Sequence, residues 1–167
     1  MSNHKQMMKL LSKSPQDTED IGIILAKNLP QGMTLALYGT LAAGKTALSK
    51  ALFEARGYHN QFSSPTYTII NEYIKGTMRA YHMDAYRLSD SQELEYTGYR
   101  DFSEDPDTDI IVIEWADVVE SGIYTDRLLK VRLERTQSDN ERVLTIETEN
   151  PELYSRLTEE LNAYLSN

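Results

Sequence analysis

One segment, LYGTLAAGKTALSK from Leu37 to Lys50, restricts the fold of this chain more than any other. Gly39 and Gly44 are separated by four residues, and a lysine and a threonine follow directly, which is the G-x-x-x-x-G-K-[ST] pattern of a P-loop. The apolar run before the loop predicts a strand, and the segment after it predicts a helix. Because strand, loop and helix occur in the order that this pattern requires, we expect a phosphate-binding site here.

The small residues of the loop leave room for an anion. They let the backbone wrap a phosphate with several N–H groups pointing inward, and the following helix directs its free N–H groups and positive dipole end at the same anion. We expect the ammonium of Lys45 to contact the β- and γ-phosphate oxygens, and the hydroxyl of Thr46 to coordinate Mg²⁺. The expected nucleotide-binding set is completed by Gly39, Thr40, Leu41, Ala42, Ala43, Gly44 and Ala47.

The composition limits the setting in which such a site works. The chain has 167 residues, which predicts one domain with a single core over residues 1–167. It contains no cysteine, which excludes disulfides and thiolate metal sites and fits a reducing compartment. No apolar run approaches the roughly 18 residues of a membrane span, and the N-terminal segment lacks a signal-peptide core, so we expect a cytoplasmic protein. The net charge of −9 argues against direct attraction to nucleic acid or to a membrane.

Periodicity and breaker residues predict a mixed β-sheet with helices on its faces. The predicted helices cover 15–29, 44–56, 89–102 and 150–165, and the predicted strands cover 32–39, 67–74, 78–86, 109–115, 127–135 and 141–149. The run 109–115 is typical of a strand that is buried on both faces. The last two strands alternate polar and apolar residues around a polar turn, which predicts an antiparallel hairpin. The expected fold class is therefore a P-loop NTPase-like α/β sheet with a C-terminal hairpin and helix.

Two acidic residues are candidates for a metal site. Glu114 follows the apolar run 110–113 and Asp84 ends the segment MRAYHMD, so both are expected at the carboxyl ends of strands, where open α/β sheets bind ligands. A P-loop site needs such an acid to complete the Mg²⁺ shell. Either acid could hold the metal, directly or through water, or orient the attacking water. The alternative is a solvated acid at a strand end, and the residues do not say which acid ligates directly.

Three further features have more than one interpretation. The hydroxyl-rich loop Ser63–Thr66 is equally consistent with a segment that orders around a γ-phosphate and with a plain turn. For Trp115, we prefer packing in the core or at an interface as the interpretation over stacking on a base. For His82, we prefer a structural role as the interpretation over a catalytic one.

Five motifs follow one another along the chain: GTLAAGKT, SSPTYTIINEY, YHMDAYRL, ELEYTGYRDF and IIVIEWAD. Over about residues 15–120 this series resembles the TsaE family, also called YjeE, of small bacterial ATPases that act in making threonylcarbamoyladenosine on tRNA. A P-loop combined with SPT, an H-x-D-x-Y-R-L segment and an E-W pair is much more specific than a P-loop alone. The resemblance implies binding and hydrolysis of ATP with Mg²⁺, in complex with TsaD-like and TsaB-like proteins through which tRNA is reached indirectly.

The resemblance also implies roles for individual residues. Those implied to be catalytic are Lys45, Asp84 and Glu114. Those implied to hold Mg²⁺ are Thr46, Glu114 and Asp84. Those implied to lie near the nucleotide, besides the P-loop, are Thr18 beside the base, Ser64 and Thr66 in a switch-like loop, and Trp115.

The P-loop departs at two positions from the family's usual G-D-L-G-A-G-K-T. Thr40 stands where the family has an acid, and Ala42 stands where it has a glycine. Loss of a carboxylate beside the phosphates should leave binding intact, but it can alter how the catalytic water is held. Ala42 is less permissive than glycine if this position needs a positive φ, and we expect the loop to tolerate it.

Two other functions fit the same P-loop. A small-molecule kinase must shield the γ-phosphate from water, often with a lid that carries arginines. The sequence has no arginine-rich insertion, and Arg87 and Arg100 are the well-placed candidates. A nucleotide-gated binding module, in which the 60–66 loop controls docking and hydrolysis is incidental, is disfavoured by the intact lysine, threonine and glutamate of the predicted site.

Overall fold

One mixed β-sheet of seven strands organises the part of the chain that the structure describes, residues 4–40, 42–62, 70–124 and 126–166 of a computed structural model. The strands are β1 (Gln6–Ser12), β2 (Met33–Tyr38), β3 (Ile70–Lys75), β4 (Met78–Asp84), β5 (Thr108–Glu114), β6 (Leu128–Arg135) and β7 (Arg142–Thr148). The helices are α1 (Pro15–Asn28), α2 (Lys45–Ala55), α3 (Ser91–Tyr96), α4 (Tyr99–Glu104) and α5 (Pro151–Glu160). The predicted α/β class, with its C-terminal hairpin and helix, is confirmed.

The central strands are parallel, and their carboxyl ends meet at one edge of the sheet. Across the sheet the order is β1-β7-β6-β2-β5-β4-β3; β2 is parallel to both β6 and β5, and β5 is parallel to β4. Leu37 of β2 lies beside Glu114 of β5, and Glu114 lies beside Asp84 of β4. The edge at which open parallel sheets bind ligands therefore carries the P-loop and both predicted acids.

Two apolar layers cover the sheet. On one face, α1, α2 and α5 pack on a core that includes Leu25, Leu48 and Leu157. On the opposite face, α3, α4 and the turns at 116–123 pack around Tyr81 and Ile111. None of the helices in the described ranges is long and apolar enough to cross a lipid bilayer.

Local signals determine where the two helices next to the site begin. Ser14 caps α1, since its side-chain oxygen accepts a hydrogen bond from the backbone N–H of Asp17 at 3.1 Å, and Pro15 fits the first turn. Helix α2 begins at Lys45, directly after Gly44, whose φ of 109° lies in the left-handed region. The P-loop therefore leads into α2 without an intervening segment.

Strand β1 is missing from the sequence prediction. It pairs with β7 in antiparallel fashion along its whole length, and Met8 and Leu10 are buried while Met7 is more than half exposed. Its segment, QMMKLLS, is short and lies at the edge of the sheet. Its partner strand lies near the other end of the chain. No turn connects the two strands directly, so no local sequence pattern predicts their pairing.

Two predicted helices are wrong in their extent. The segment 89–102 forms two short helices, α3 and α4, because Gly98 adopts a left-handed φ of 93° between them. The predicted helix 150–165 ends at Glu160, and Leu165 turns back to bridge Leu10 of β1. The predicted strand 67–74 is described from Ile70 onward, and its first residues lie outside the described ranges.

Candidate functional site

The P-loop backbone takes a positive φ at three of its described residues. Gly39 has a φ of 144°, and a Cβ built on it would lie 2.6 Å from the carbonyl oxygen of Leu133 on β6. Gly44 has a φ of 109°. Ala42 has a φ of 64°, a conformation that costs a residue with a Cβ roughly 1–2 kcal/mol. The chain therefore places alanine at a position where glycine would be unstrained.

Lys45 is enclosed between the loop and a tryptophan. It is 5% exposed, and its Nζ donates hydrogen bonds to the carbonyl oxygens of Gly39 at 2.5 Å and Thr40 at 2.8 Å. The centre of the Trp115 ring lies 4.1 Å from the same Nζ, which is within cation–π range. The ammonium is thus held inside the loop by neutral acceptors and an aromatic face.

Three acidic side chains act electrostatically on this ammonium. Burial lowers the pKa of Lys45, and the nearby carboxylates of Glu114, Asp117 and Asp84 act in the opposite direction by favouring its charged form. A partly dehydrated ammonium interacts more strongly with an anion than one in bulk water, because the local dielectric constant is low. The arrangement can therefore bind an anionic group at Lys45 next to carboxylates that can bind a cation.

The structure brings the two predicted acids together. Asp84 and Glu114 are direct neighbours at the ends of the parallel strands β4 and β5. Glu114 is 5% exposed, whereas Asp84 is half-buried and its Oδ1 accepts a hydrogen bond from the backbone N–H of Tyr86 at 2.9 Å. Thr46 is exposed in the first turn of α2. The three predicted metal ligands therefore lie on the elements that converge at one edge of the sheet.

The donor set fits magnesium bound together with a phosphate. Within the described ranges, no group of three or more histidine, aspartate or glutamate side chains could hold a metal ion. Magnesium in phosphate-binding sites is commonly held by one or two carboxylates, with phosphate oxygens and waters as the other ligands. Asp84, Glu114 and the hydroxyl of Thr46 could supply this kind of partial oxygen shell.

His82 lies next to Glu114, which sequence reasoning did not anticipate. Its Nε2 hydrogen-bonds to Oε2 of Glu114, and the imidazole is fully buried. The sequence contained part of the information. His82 and Asp84 are two residues apart on one strand, so their side chains must point to the same face of the sheet. What the sequence did not contain was the pairing of β4 with β5.

A pocket of about 220 Å³ adjoins the P-loop, and neither of the two acids lines it. Thr18 lines it, as do two residues of the P-loop and one of α2, namely Ala43, Gly44 and Ala47. The Thr18 hydroxyl hydrogen-bonds to the hydroxyl of Ser12 at 2.7 Å. Asp139, Asn140 and Arg142 close the pocket from the β6–β7 turn, and none of these three was predicted.

Arg142 connects the β6–β7 hairpin to the P-loop. Its Nε donates to the carbonyl oxygen of Ala43 at 3.1 Å, and its Nη2 lies 3.3 Å from that of Ala42. Its Nη1 donates to the backbone carbonyl oxygens of Asp139 at 2.7 Å and Glu141 at 2.8 Å. One guanidinium thus ties the strained part of the loop to the hairpin turn, a contact across about a hundred residues of sequence that a single sequence does not reveal.

Trp115 has an unusual backbone. Its φ of 60° is left-handed, and its ring is half-buried, 5.0 Å between centroids from the ring of Tyr86. The indole packs against the core layer that α3 and α4 cover, and it also lies beside Lys45 just after the end of β5. Of the other predicted site residues, Leu41, Ser64 and Thr66 lie outside the described ranges, so their roles stay predictions.

The sequence matches one family and several named proteins. The model of the family described as "Threonylcarbamoyl adenosine biosynthesis protein TsaE" matches residues 12–144. A Bacillus subtilis protein named "tRNA threonylcarbamoyladenosine biosynthesis protein TsaE" is 33% identical over 95% of this chain and 96% of its own length. Its namesake in Treponema pallidum is 34% identical over 83% of this chain and 99% of its own length.

The fold matches a solved structure. The crystal structure of Bacillus subtilis YdiB superposes with a TM-score of 0.73, covering 97% of this chain and 98% of that one at 29% identity. This agreement extends over the whole sheet and is consistent with a P-loop NTPase-like fold.

Proposed function

This chain belongs to the TsaE family of tRNA threonylcarbamoyladenosine biosynthesis, and from that premise we propose that it is a Mg²⁺-dependent ATPase of this pathway. The family resemblance that the five motifs indicated is confirmed. The role in tRNA modification follows from the family. The activity, the cofactors and the partner proteins are the proposed part.

The position of Lys45 between the P-loop and the two acids is the observation that carries the proposal. A buried ammonium at the start of a P-loop helix, with two carboxylates at neighbouring strand ends, suits a nucleoside triphosphate with its metal. The helix start adds free backbone N–H groups that favour an anion. We assign to Lys45 the contact with the β- and γ-phosphates.

Thr46, Asp84 and Glu114 would hold Mg²⁺ beside these phosphates. When bound, the ion neutralises charge that develops on the phosphoryl oxygens. The protein's own contribution is to position the phosphates through the loop and to hold or orient a water molecule through one of the acids.

The pocket beside Thr18 suits the nucleoside. It adjoins the P-loop at Ala43 and Gly44 and has both apolar and polar walls, as small-molecule sites commonly have. We assign the base and ribose to this pocket, with Ala47 and the β6–β7 turn as its walls.

The proposed partners are TsaD-like and TsaB-like proteins, in a cytoplasmic complex without a membrane. The net charge of −9 supports this assignment, because an acidic chain has no general attraction for tRNA. The tRNA would then be bound by the other subunits.

Phosphate release from ATP by the purified chain, alone and mixed with the TsaD and TsaB proteins of the same organism, tests the proposal. We expect slow Mg²⁺-dependent hydrolysis that the partners accelerate. Lys45→Ala should abolish it, and Lys50→Ala, an exposed lysine on the same helix, should not.

Three outcomes would contradict the proposal. Absence of ATP binding in calorimetry would show that the P-loop is not a nucleotide-binding site. Transfer of the phosphoryl group to a small acceptor would indicate a kinase. Nucleotide-dependent partner binding without hydrolysis, even in the complex, would indicate a binding module.

A further inference from the structure

We propose that His82 is a positioning residue for Glu114, holding its carboxylate in the orientation that the metal site requires. This inference rests on the proposed function, and it adds a residue to the machinery that neither the P-loop pattern nor the family comparison assigns. It is carried by the hydrogen bond between His82 Nε2 and Glu114 Oε2 and by the surroundings of the imidazole.

The contact divides the tasks of the two carboxylate oxygens. Because Oε2 of Glu114 accepts from the imidazole, Oε1 is left for the metal or its water. An ionised carboxylate accepts and does not donate, so Nε2 must carry the hydrogen in this pair. A carboxylate held by a second group in this way presents a fixed oxygen to a metal, as outer-shell partners commonly ensure.

A tyrosine hydroxyl lies at the other nitrogen of the same ring. The hydroxyl of Tyr73 on β3 lies 3.3 Å from Nδ1 of His82. With Nε2 donating to Glu114, a neutral imidazole has Nδ1 as its acceptor, and the tyrosine hydroxyl is a suitable donor to it. The carboxylate of Glu114, which only accepts, selects the tautomer with its hydrogen on Nε2, and Tyr73 provides a partner for Nδ1.

Aromatic rings prevent the imidazole from turning away. The ring of Phe53 on α2 lies 5.3 Å from His82, and the ring of Phe62 stacks on it at 5.4 Å with an interplanar angle of 28°. His82 has no exposed surface, so water does not compete for its nitrogens. A hydrogen bond in such surroundings is stronger than one in water. Because the packed rings hold the imidazole in place, its hydrogen bond also restricts the orientation of the Glu114 carboxylate.

Nucleotide binding with and without Mg²⁺ tests this role without relying on hydrolysis. The dissociation constant of ADP, or of a non-hydrolysable ATP analogue, is measured in Mg²⁺ and in EDTA. The readouts are calorimetry and the fluorescence of Trp115, which is the single tryptophan of the sequence. The ratio of the two constants reports the contribution of the metal.

We expect His82→Phe, which keeps a ring in the cavity, to reduce the gain in affinity from Mg²⁺ by about tenfold or more, as losses of outer-shell partners do. Its affinity in EDTA should stay within about twofold, because the P-loop contacts are unchanged. His82→Gln, which keeps an N–H donor near the position of Nε2, should recover part of the gain. Tyr73→Phe should show a smaller loss in the same direction.

Combination with Glu114→Gln distinguishes positioning from stability. If His82 acts through Glu114, His82→Phe should add little to the loss that Glu114→Gln already causes. Equal losses in Mg²⁺ and EDTA for both His82 variants and for Tyr73→Phe, or a full Mg²⁺ gain in His82→Phe, would overturn the inference. An unmodified chain that binds no nucleotide would instead overturn the proposed function and this inference with it.

Discussion

The Nζ of Lys45 lies 4.1 Å from the centre of the Trp115 ring, so the helix after the P-loop and the end of β5 meet at the cation. Trp115 reaches this position through a left-handed backbone, with a φ of 60°. Lys45 cannot leave the loop carbonyls for a phosphate without changing its relation to this ring. The fluorescence of Trp115 should therefore report which groups contact Lys45.

The emission of Trp115 is expected to change when nucleotide binds, because the ammonium above its ring moves toward phosphate. Lys45→Met, which keeps the length of the side chain without its charge, should alter the emission of the free protein. It should also weaken nucleotide binding by about tenfold or more, since hydrogen bonds to charged groups contribute about 1.5–3 kcal/mol. Fluorescence titration measures both effects. Unaltered emission and affinity in Lys45→Met would show that the pair is not at the nucleotide site.

Glu114→Ala should reduce hydrolysis far more than binding. In its proposed role the acid acts on the metal or the attacking water, so a loss of about 100-fold or more in kcat is expected from its removal. The affinity for nucleotide in EDTA should change little, because Lys45 and the P-loop remain. Steady-state kinetics and calorimetry separate the two, with Glu134→Ala, an exposed acid on β6, as the control. Wild-type turnover in Glu114→Ala would refute its assigned role.

Ala42→Gly should not destabilise the protein and should raise its free energy of unfolding by up to about 1.5 kcal/mol. The left-handed φ of 64° costs alanine roughly 1–2 kcal/mol, and the greater freedom of glycine in the unfolded chain offsets about 0.4–1 kcal/mol of this. Urea unfolding measures the difference. Ala43→Gly is the matched control: Ala43 is buried and has no positive φ, so this change should destabilise. A destabilised Ala42→Gly protein would show that the loop is not strained at this residue.

Arg142→Ala should weaken nucleotide binding by about fivefold to thirtyfold, because the carbonyl oxygens of Ala42 and Ala43 lose a charged donor, a contact of the order of 1–2 kcal/mol. Arg142→Lys should not restore it, since one ammonium cannot bridge the loop and the hairpin turn as the forked guanidinium does. Arg135→Ala, its exposed neighbour across the hairpin, is the control. If calorimetry gives the same affinity for Arg142→Ala and Arg135→Ala, the contact between Arg142 and the P-loop does not support the nucleotide site.

The sequence by itself defined the features of this protein that depend on local backbone chemistry. The P-loop, the capped start of α1, the buried strand β5 and the β6–β7 hairpin each follow from spacing, caps or periodicity over a few residues, and all four are present in the structure. The positions of Glu114 and Asp84 at strand ends follow from the same patterns, because an apolar run that ends in an acid defines where a buried strand emerges.

The tertiary structure alone decided which of these residues meet. Strand β1 needs a partner from the far end of the chain, and His82 reaches Glu114 only because β4 and β5 are neighbours. Arg142 reaches the P-loop only because β7 pairs with β6 and β6 lies beside β2. Contacts of this kind depend on the order of strands across the sheet. That order is selected by the packing of the whole core, and no short stretch of sequence encodes it.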